Sequence, residues 1–162
     1  NKKMMSVFEK VHLVQGEAEF VDDRTVRSGG EDYRAKKIFI AVGTEPFIPP
    51  IPGLRDIPDV LTNANLFQLE KMPESLTIIG GGAIGSEMAQ AFTRLGTKVS
   101  MIHMDPHLIP LGDAEAAQLL EESFRSEGIT VHNGAAIESV SLEDGLVVVK
   151  AGDILLKSRR RP

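Results

Sequence analysis

The sequence predicts an α/β fold in which a parallel sheet with helices follows a segment of antiparallel strands and turns. An apolar, largely β-branched run from Leu76 to Ile79 leads into glycines and then into a helical pattern that stops at Gly96. A second strand is predicted next, over Lys98–Ile102. The two strands and the helix form one β-turn-α-β unit. Its crossover is expected to be right-handed, because the chirality of the chain favours that hand. A ligand is expected at the carboxyl ends of its strands.

Glycines between that strand and that helix have the spacing G-x-G-x-x-G at Gly80, Gly82 and Gly85. The first permits a tight turn, the second lets backbone approach a pyrophosphate, and the third lets the helix pack closely on the strand. The helix N-terminal N–H groups and the helix dipole favour negative charge there. The turn therefore predicts dinucleotide binding, with a purely structural turn as the alternative. The predicted site is the whole turn: Gly80, Gly81, Gly82, Ala83, Ile84 and Gly85.

The composition argues against several other functions. The formal net charge is −5 and the sequence pI is near 5.4, whereas nucleic acids and anionic membranes are bound by basic surfaces. No apolar run approaches the length of a membrane span and no signal peptide is visible, so the expected location is the cytoplasm. The absence of cysteine excludes disulfides and a cysteine nucleophile within these residues. His103 and His107 are four residues apart, but Pro106 between them disfavours the continuous helix that would place both on one face. No metal site is therefore expected.

The residues before Gly43 are predicted to form strands and turns. Asp22 and Asp23 indicate a turn, and the segment Arg24–Gly30 completes a hairpin. The apolar run Lys37–Val42 is predicted to be a buried strand that ends at Gly43. This segment cannot bury much by itself and is interpreted as the last part of a domain.

Prolines dominate Gly43–Pro73 and predict a stiff, extended connector rather than a core element, with one short helix over Asn65–Glu70. Farther along the chain, a third parallel strand is predicted over Ile129–His132. Two strands of an antiparallel meander are then expected over Ala136–Ser141 and Leu146–Lys150, because a Glu-Asp-Gly turn separates them.

A second helix is predicted over Ala114–Ser126, with Asp113 as its N-cap and Gly128 as its stop signal. Its apolar positions fall on one side, and its acidic residues are expected on the opposite, solvent side. These acidic residues are Glu115, Glu121 and Glu122.

Three motifs in this order resemble the flavoprotein disulfide reductase family, which contains dihydrolipoamide dehydrogenase, glutathione reductase and mercuric reductase. They are Gly16–Phe20, Ile40–Pro46 followed by Pro50–Gly53, and Ile78–Glu87. The resemblance covers essentially the whole chain. It implies a Rossmann-like, three-layer NAD(P)-binding domain, with helices on one face of a parallel sheet and an antiparallel β-meander on the other. A β-rich fragment of an FAD-binding domain would precede it.

The resemblance also implies an organisation and an activity. Residues 1–53 would be the C-terminal part of the FAD-binding domain, 54–74 a Pro-rich connector, and 75–162 the NAD(P)-binding domain. In the family an electron pair passes from NAD(P)H to FAD and then to a cysteine pair, within a homodimer. The FAD glycine motif, the cysteine pair and the dimerisation domain are expected outside these residues. The chain alone is expected to bind nicotinamide nucleotide weakly, without turnover.

Individual roles follow from the resemblance as expectations. Gly16 and Ala18 would contact the FAD adenine through their backbone. Ala41 and Gly43 would belong to the strand end at which the chain leaves the FAD domain and enters the NAD(P) domain. Ile137 would lie near the adenine side of the nicotinamide nucleotide.

Glu87 matches the family's helix glutamate, which pairs near the flavin with a lysine beside the cysteine motif, and it is the predicted catalytic residue. The alternative is a solvated glutamate in the first helical turn, favoured by the helix dipole.

The sequence departs from the family pattern at three positions. Ala83 lies where many members have a larger gate residue over the flavin, so gating by that side chain is not expected. Val42 replaces a threonine and lacks its hydroxyl. Arg159 lies where a glycine is expected, which puts close backbone approach at that point in doubt.

The choice between NAD and NADP is open at this stage. An acid about 20 residues after the glycines binds the ribose 2′-OH of NAD, whereas arginine accompanies NADP. The matching residue in this sequence is His103. Together with His107 it favours NADP, and the alternative is that both are loop-edge histidines without a binding role. Gly85 favours NAD, as would Asp105 if it substitutes for the missing acid.

Other functions also remain open. The chain is alternatively a non-catalytic redox-sensing module, or part of an NADH oxidase or ferredoxin reductase-type flavoenzyme. The final electron acceptor is also open, and lipoamide, a metal ion and a glutathione-like disulfide are all candidates. In the family the acceptor is determined near the cysteine pair and the dimer interface, which are expected outside these residues.

Overall fold

The computed structural model describes residues 11–159, and the chain divides into two compact units between Thr44 and Glu45. The first unit contains three strands, β1 (Ala18–Asp22), β2 (Thr25–Ser28) and β3 (Glu31–Arg34). They pair antiparallel in chain order. The Asp22 carboxylate accepts from the backbone N–H of Arg24 at 2.8 Å, which closes the first turn. The predicted hairpin and its turn are therefore confirmed.

The predicted buried strand over Lys37–Val42 is wrong. These residues form no strand, and Phe39 and Val42 are 88% and 89% exposed. A strand needs a neighbour for its backbone hydrogen bonds, and an apolar run needs a core to cover it. Among the described residues of the first unit, the meander pairs only with itself and supplies neither.

The second unit is built on a parallel sheet with the strand order β4-β5-β6. Its strands are β4 (Ser75–Ile79), β5 (Lys98–Ile102) and β6 (Thr130–His132). Helix α1 (Ala83–Arg94) connects β4 to β5, and helix α2 (Ala114–Ser126) connects β5 to β6. The predicted β-turn-α-β unit and the third parallel strand are therefore confirmed.

Both helices end as the sequence predicts. Gly96 and Gly128 have φ angles of +95° and +90°, which non-glycine residues rarely adopt. At the start of α2 the Asp113 carboxylate accepts from the N–H groups of Glu115 and Ala116, at 3.0 and 3.1 Å. Each such cap stabilises a helix by about 1 kcal/mol.

An antiparallel meander follows, made of β7 (Ser139–Glu143), β8 (Leu146–Ala151) and β9 (Ile154–Arg159) in chain order. Side chains alternate along β5, so the parallel sheet contributes to two separate cores. One core joins Val99 and Met101 of β5 to apolar side chains of both helices, such as Phe92 and Phe124. The other joins Ile102 to side chains of the meander, such as Val149.

The proline-rich segment differs from the prediction. It has two short 3₁₀ turns, Leu54–Asp56 and Leu66–Gln68, the second of which replaces the predicted helix over Asn65–Glu70. Leu54 and Leu66 are 6% and 7% exposed, so the segment contributes to both cores. It is extended because of its prolines, yet it is a packed element and more than a connector.

Candidate functional site

The glycine turn lies at the carboxyl end of β4 and begins α1. Gly80 has a φ angle of +113° and its N–H donates to the carbonyl of Ile102 at 3.0 Å, which joins the ends of β4 and β5. Gly82 is the N-cap of α1, and no side chain caps this end. The first N–H groups of a helix have no partners within the helix, so they are available to an anion.

The turn brings helix and strand into close contact at Gly85. A Cβ built there would collide with the carbonyl oxygen of Gly80 and lie 3.4 Å from Cγ2 of Ile78. The space next to Gly82 is different, because a Cβ built there would meet no atom within 4 Å. Of these two glycines, Gly85 is therefore needed for packing, while Gly82 leaves the backbone open to solvent beside the helix N-terminus.

Replacing Gly85 with alanine is expected to destabilise the chain by about 1 to 3 kcal/mol, because the new methyl group would overlap a backbone carbonyl that cannot move freely. Urea unfolding measures the change. Gly82→Ala is the matched control, since its methyl group enters open space at a φ angle of −74°. Equal unfolding midpoints for Gly85→Ala and the wild type would contradict this packing.

His103 follows β5 and lies beneath the turn. A Cβ built on Gly81 would lie 2.7 Å from Nε2 of His103, so the imidazole contacts the backbone of the turn. The residue is 4% exposed, and its Nε2 lies 2.8 Å from Oδ1 of Asn133. The structure thus brings two predicted site residues, Gly81 and His103, together.

Glu121 is a site neighbour that the sequence pattern missed. It was predicted on the solvent side of its helix, and that prediction is wrong, because the residue is 6% exposed. Its Oε1 accepts from the N–H of Leu108 at 3.0 Å and from Nδ2 of Asn133 at 2.7 Å. Its Oε2 accepts from Arg125 at 3.0 Å. The loop after β5 supplies the Leu108 donor, the loop after β6 supplies Asn133, and α2 itself supplies Arg125.

Hydrogen bonds keep Glu121 charged. Burial raises the pKa of its carboxyl, but the bonds from Leu108, Asn133 and Arg125 together outweigh burial and lower the pKa below its ordinary value. An ionised carboxylate only accepts hydrogen bonds, so Asn133 presents its amide N–H to Glu121 and its Oδ1 to His103. Nε2 of His103 therefore donates to Oδ1 of Asn133.

The loop between β5 and α2 is fastened to the turn by backbone. The N–H of Ile109 donates to the carbonyl of Gly81 at 2.7 Å. Ile109 has a φ angle of +50°, which is strained for a β-branched residue. Such strain persists only where the surroundings fix the conformation. The bond to Gly81 and the Leu108 bond to Glu121 are the contacts that fix it here.

The other predicted site residues lie elsewhere. Glu87 is exposed in the first turns of α1, and Ile137 is half-buried in the core between the parallel sheet and the meander. Four more belong to the first unit and are all exposed: Gly16, Ala18, Ala41 and Gly43.

Three further findings concern the described residues. Within residues 11–159, no group of three or more His, Asp or Glu side chains could hold a metal ion, and no helix is long and apolar enough to cross a membrane. A cavity of about 560 Å³ lies beside the proline-rich segment, lined by residues that include Phe47, Arg55 and Asn65.

The sequence comparisons decide the family. The family model described as pyridine nucleotide-disulphide oxidoreductase matches residues 1–158. The chain belongs to this family. Mercuric reductase of Lysinibacillus sphaericus is 32% identical over 100% of this chain and 32% of its own length. Dihydrolipoyl dehydrogenase of Thermus scotoductus is 37% identical over 86% of this chain and 30% of its own length. The predicted family is confirmed.

Solved structures agree with the fold. The HOCl-induced flavoprotein disulfide reductase RclA of Escherichia coli aligns with a TM-score of 0.77 at 29% identity, over 96% of this chain and 37% of that one. A water-forming NADH oxidase of Lactobacillus brevis aligns with a TM-score of 0.66 at 23% identity, a likeness of fold alone. The chain spans about a third of the length of these relatives. The mixed α/β architecture is consistent with a Rossmann-like flavoprotein fold, and the family consists of enzymes that use FAD and nicotinamide nucleotide.

Proposed function

We propose that residues 75–162 are the NAD(P)H-binding domain of an FAD-dependent oxidoreductase and that 1–53 belong to the FAD-binding domain. Residues 54–74 would connect the two domains while packing into the cores of the second unit. The observation that carries the proposal is the open backbone at Gly82, beside the uncapped N-terminus of α1. Family membership supports the same assignment. In this proposal the meander covers the face of the parallel sheet opposite the helices, which completes a three-layer domain.

The turn fits a nicotinamide nucleotide. Its pyrophosphate would lie on the first N–H groups of α1, where the helix dipole favours negative charge by about 0.3 to 1 kcal/mol. Gly80 turns the chain away from the strand, and Gly85 lets α1 approach β4, so these N–H groups point into open space. The residues of this chain therefore bind and orient the nucleotide.

FAD fits less well in the described part of the first unit. Residues 11–44 contain strands and turns without a helix, so they offer no helix N-terminus for its pyrophosphate. Gly16 and Ala18 are exposed and supply at most backbone contacts. In the whole protein, we propose, FAD would supply the chemistry that carries electrons from NAD(P)H to a disulfide-type or metal acceptor, with Glu87 beside the flavin and two subunits in a homodimer.

Isothermal titration of the 162-residue chain with NADH and with NADPH tests the nucleotide assignment. Heat of binding is expected with at least one nucleotide at concentrations on the order of 1 mM, where a Kd of 1 mM corresponds to about −4.1 kcal/mol. The same chain is expected to oxidise neither nucleotide. An absence of heat with both nucleotides would contradict the assignment.

A further inference from the structure

One peptide group of the glycine turn has a buried end and an exposed end. Gly81 is buried, whereas Gly82 is exposed. The carbonyl of Gly81 and the N–H of Gly82 belong to the same planar, trans peptide group, so the two bonds point in opposite directions. The carbonyl accepts from the N–H of Ile109 at 2.7 Å, whereas the Gly82 N–H has no acceptor among the described residues. This N–H therefore points away from the loop after β5 and is free for a ligand.

The loop after β5 contacts Gly81 in two ways. Its Ile109 N–H binds the Gly81 carbonyl, and the ring of His103 occupies the place that a side chain on Gly81 would take. A Cβ built on Gly81 would lie 2.7 Å from both Cε1 and Nε2 of that ring and 2.8 Å from Cδ2. The orientation of the peptide therefore depends on where Ile109 and His103 are held.

A single oxygen atom holds both of these residues in place. Oε1 of Glu121 accepts at 3.0 Å from the N–H of Leu108, the residue before Ile109. The same atom accepts from Nδ2 of Asn133 at 2.7 Å, and Oδ1 of Asn133 lies 2.8 Å from Nε2 of His103. A buried carboxylate on α2 is thus connected by two short paths of bonds to one peptide of the turn before α1.

The first path is needed because Ile109 is strained. Its φ angle of +50° is unfavourable for a β-branched residue. Without the bond between Leu108 and Glu121, the backbone is free to relax to a negative φ angle. Such a rotation would carry the Ile109 N–H away from the Gly81 carbonyl.

We propose that Glu121 is a positioning residue for nicotinamide nucleotide binding. It fixes the peptide between Gly81 and Gly82, so that the Gly82 N–H donates to the pyrophosphate. The bond from Ile109 also polarises this peptide and makes its N–H a stronger donor. This inference rests on the proposed function. Glu121 acts only through the two loops, because its buried side chain is 6% exposed and already engaged.

Titration of the 162-residue chain with NADH, followed by amide NMR, tests the proposal in Glu121→Ala and Glu121→Gln. Alanine removes both paths, whereas glutamine keeps an oxygen acceptor for them. The loss of about one hydrogen bond's contribution is expected to weaken NADH binding about fivefold or more in Glu121→Ala. Glu121→Gln is expected to restore the affinity to within about twofold of the wild type.

The control is Val149→Ala, a cavity in the core that faces the meander. Val149 is 1% exposed and lies in a different core from the loop residues Leu108 and Ile109. This variant is expected to lose stability and to keep its NADH affinity, because it touches neither path.

The Gly82 amide resonance of the free protein distinguishes positioning from loss of stability. It is expected to move upfield in Glu121→Ala, since the peptide loses the polarising bond from Ile109. It is expected to stay in place in Glu121→Gln and in Val149→Ala. A merely structural role of Glu121 would lower the folded fraction and leave the resonance of the folded protein where it is.

Asn133→Ala provides the same test if Glu121→Ala does not fold. It removes only the path to His103 and leaves the Leu108 bond in place. We expect it to shift the Gly82 resonance and to weaken NADH binding about twofold or more. An unchanged resonance with unchanged affinity would overturn the proposal.

The remaining outcomes separate this inference from the proposed function. Wild-type affinity in Glu121→Ala, equal weakening in Val149→Ala, or a Glu121→Gln variant as weak as Glu121→Ala would overturn the positioning role and leave the nucleotide assignment intact. No binding of NADH or NADPH by the wild type would overturn the assignment and this inference together.

Discussion

Replacing Gly82 with alanine is expected to weaken NADH binding at least about tenfold while changing the free energy of unfolding by no more than about 1 kcal/mol. The new methyl group meets no protein atom within 4 Å, and the φ angle of −74° suits alanine. It would instead occupy the space through which a pyrophosphate approaches the backbone. Titration calorimetry gives the Kd, and urea unfolding gives the stability.

Gly85→Ala gives the opposite expectation and is therefore the control for this experiment. It is expected to lose stability because its methyl group overlaps the Gly80 carbonyl. The two glycines are only three residues apart, so the pair separates a ligand-facing position from a packing position. Wild-type NADH affinity in Gly82→Ala would show that the open face of the turn is not where the nucleotide binds.

Replacing Glu121 with alanine is expected to destabilise the chain by about 2 to 4 kcal/mol. Leu108 N–H and Asn133 Nδ2 would lose their buried acceptor, and each unsatisfied buried donor costs about 1 to 3 kcal/mol. Glu121→Gln keeps an oxygen acceptor and is expected to cost less. Urea unfolding at pH 7 compares the variants with Glu122→Ala, a neighbouring exposed glutamate that serves as the control. Equal losses at both positions would contradict the buried role of Glu121.

The cost of Glu121→Gln is expected to depend on pH. The folded-state pKa of Glu121 is lowered, so its charge stabilises the fold above the unfolded-state value near 4.5 and loses that effect as pH falls through the lower folded-state value. The stability difference between the wild type and Glu121→Gln is therefore expected to shrink as pH is lowered from 7 through about 4.5. A difference that stays constant over this range would show that the carboxylate charge contributes nothing.

Local signals explain what could be predicted from the sequence. Helix α2 begins and ends at the predicted residues because Asp113 caps it and Gly128 ends it with backbone geometry that few residues adopt. Strand β5 also has the predicted bounds, because Val99, Met101 and Ile102 lie in a short run between a helix stop and a polar loop. Three motifs in order were enough to predict the family, which the comparisons confirm.

Features that depend on distant parts of the chain could not be predicted. Lys37–Val42 has the pattern of a strand, but a strand also needs a partner, and the described residues of the first unit provide none. Glu121 lies on the polar side of its helix by periodicity, yet the loop after β5 returns there and buries it. Periodicity describes one element, whereas burial depends on what packs against it.

The roles of individual residues in binding remain predictions. The structure gives Gly80 and Gly85 the expected backbone geometry and gives His103 a buried position that the sequence did not indicate. The only sequence feature connected with the burial of His103 is Asn133, which follows β6. The spacing between these two residues matches no pattern that would have indicated the contact.

Amide NMR spectra of the isotopically labelled chain, recorded with increasing NADH, test the central claim most directly. The account predicts that the largest chemical-shift changes map to the turn from Gly80 to Gly85. Changes concentrated instead at Phe47, Arg55 and Asn65 around the cavity, or no change in the turn at saturating NADH, would contradict it.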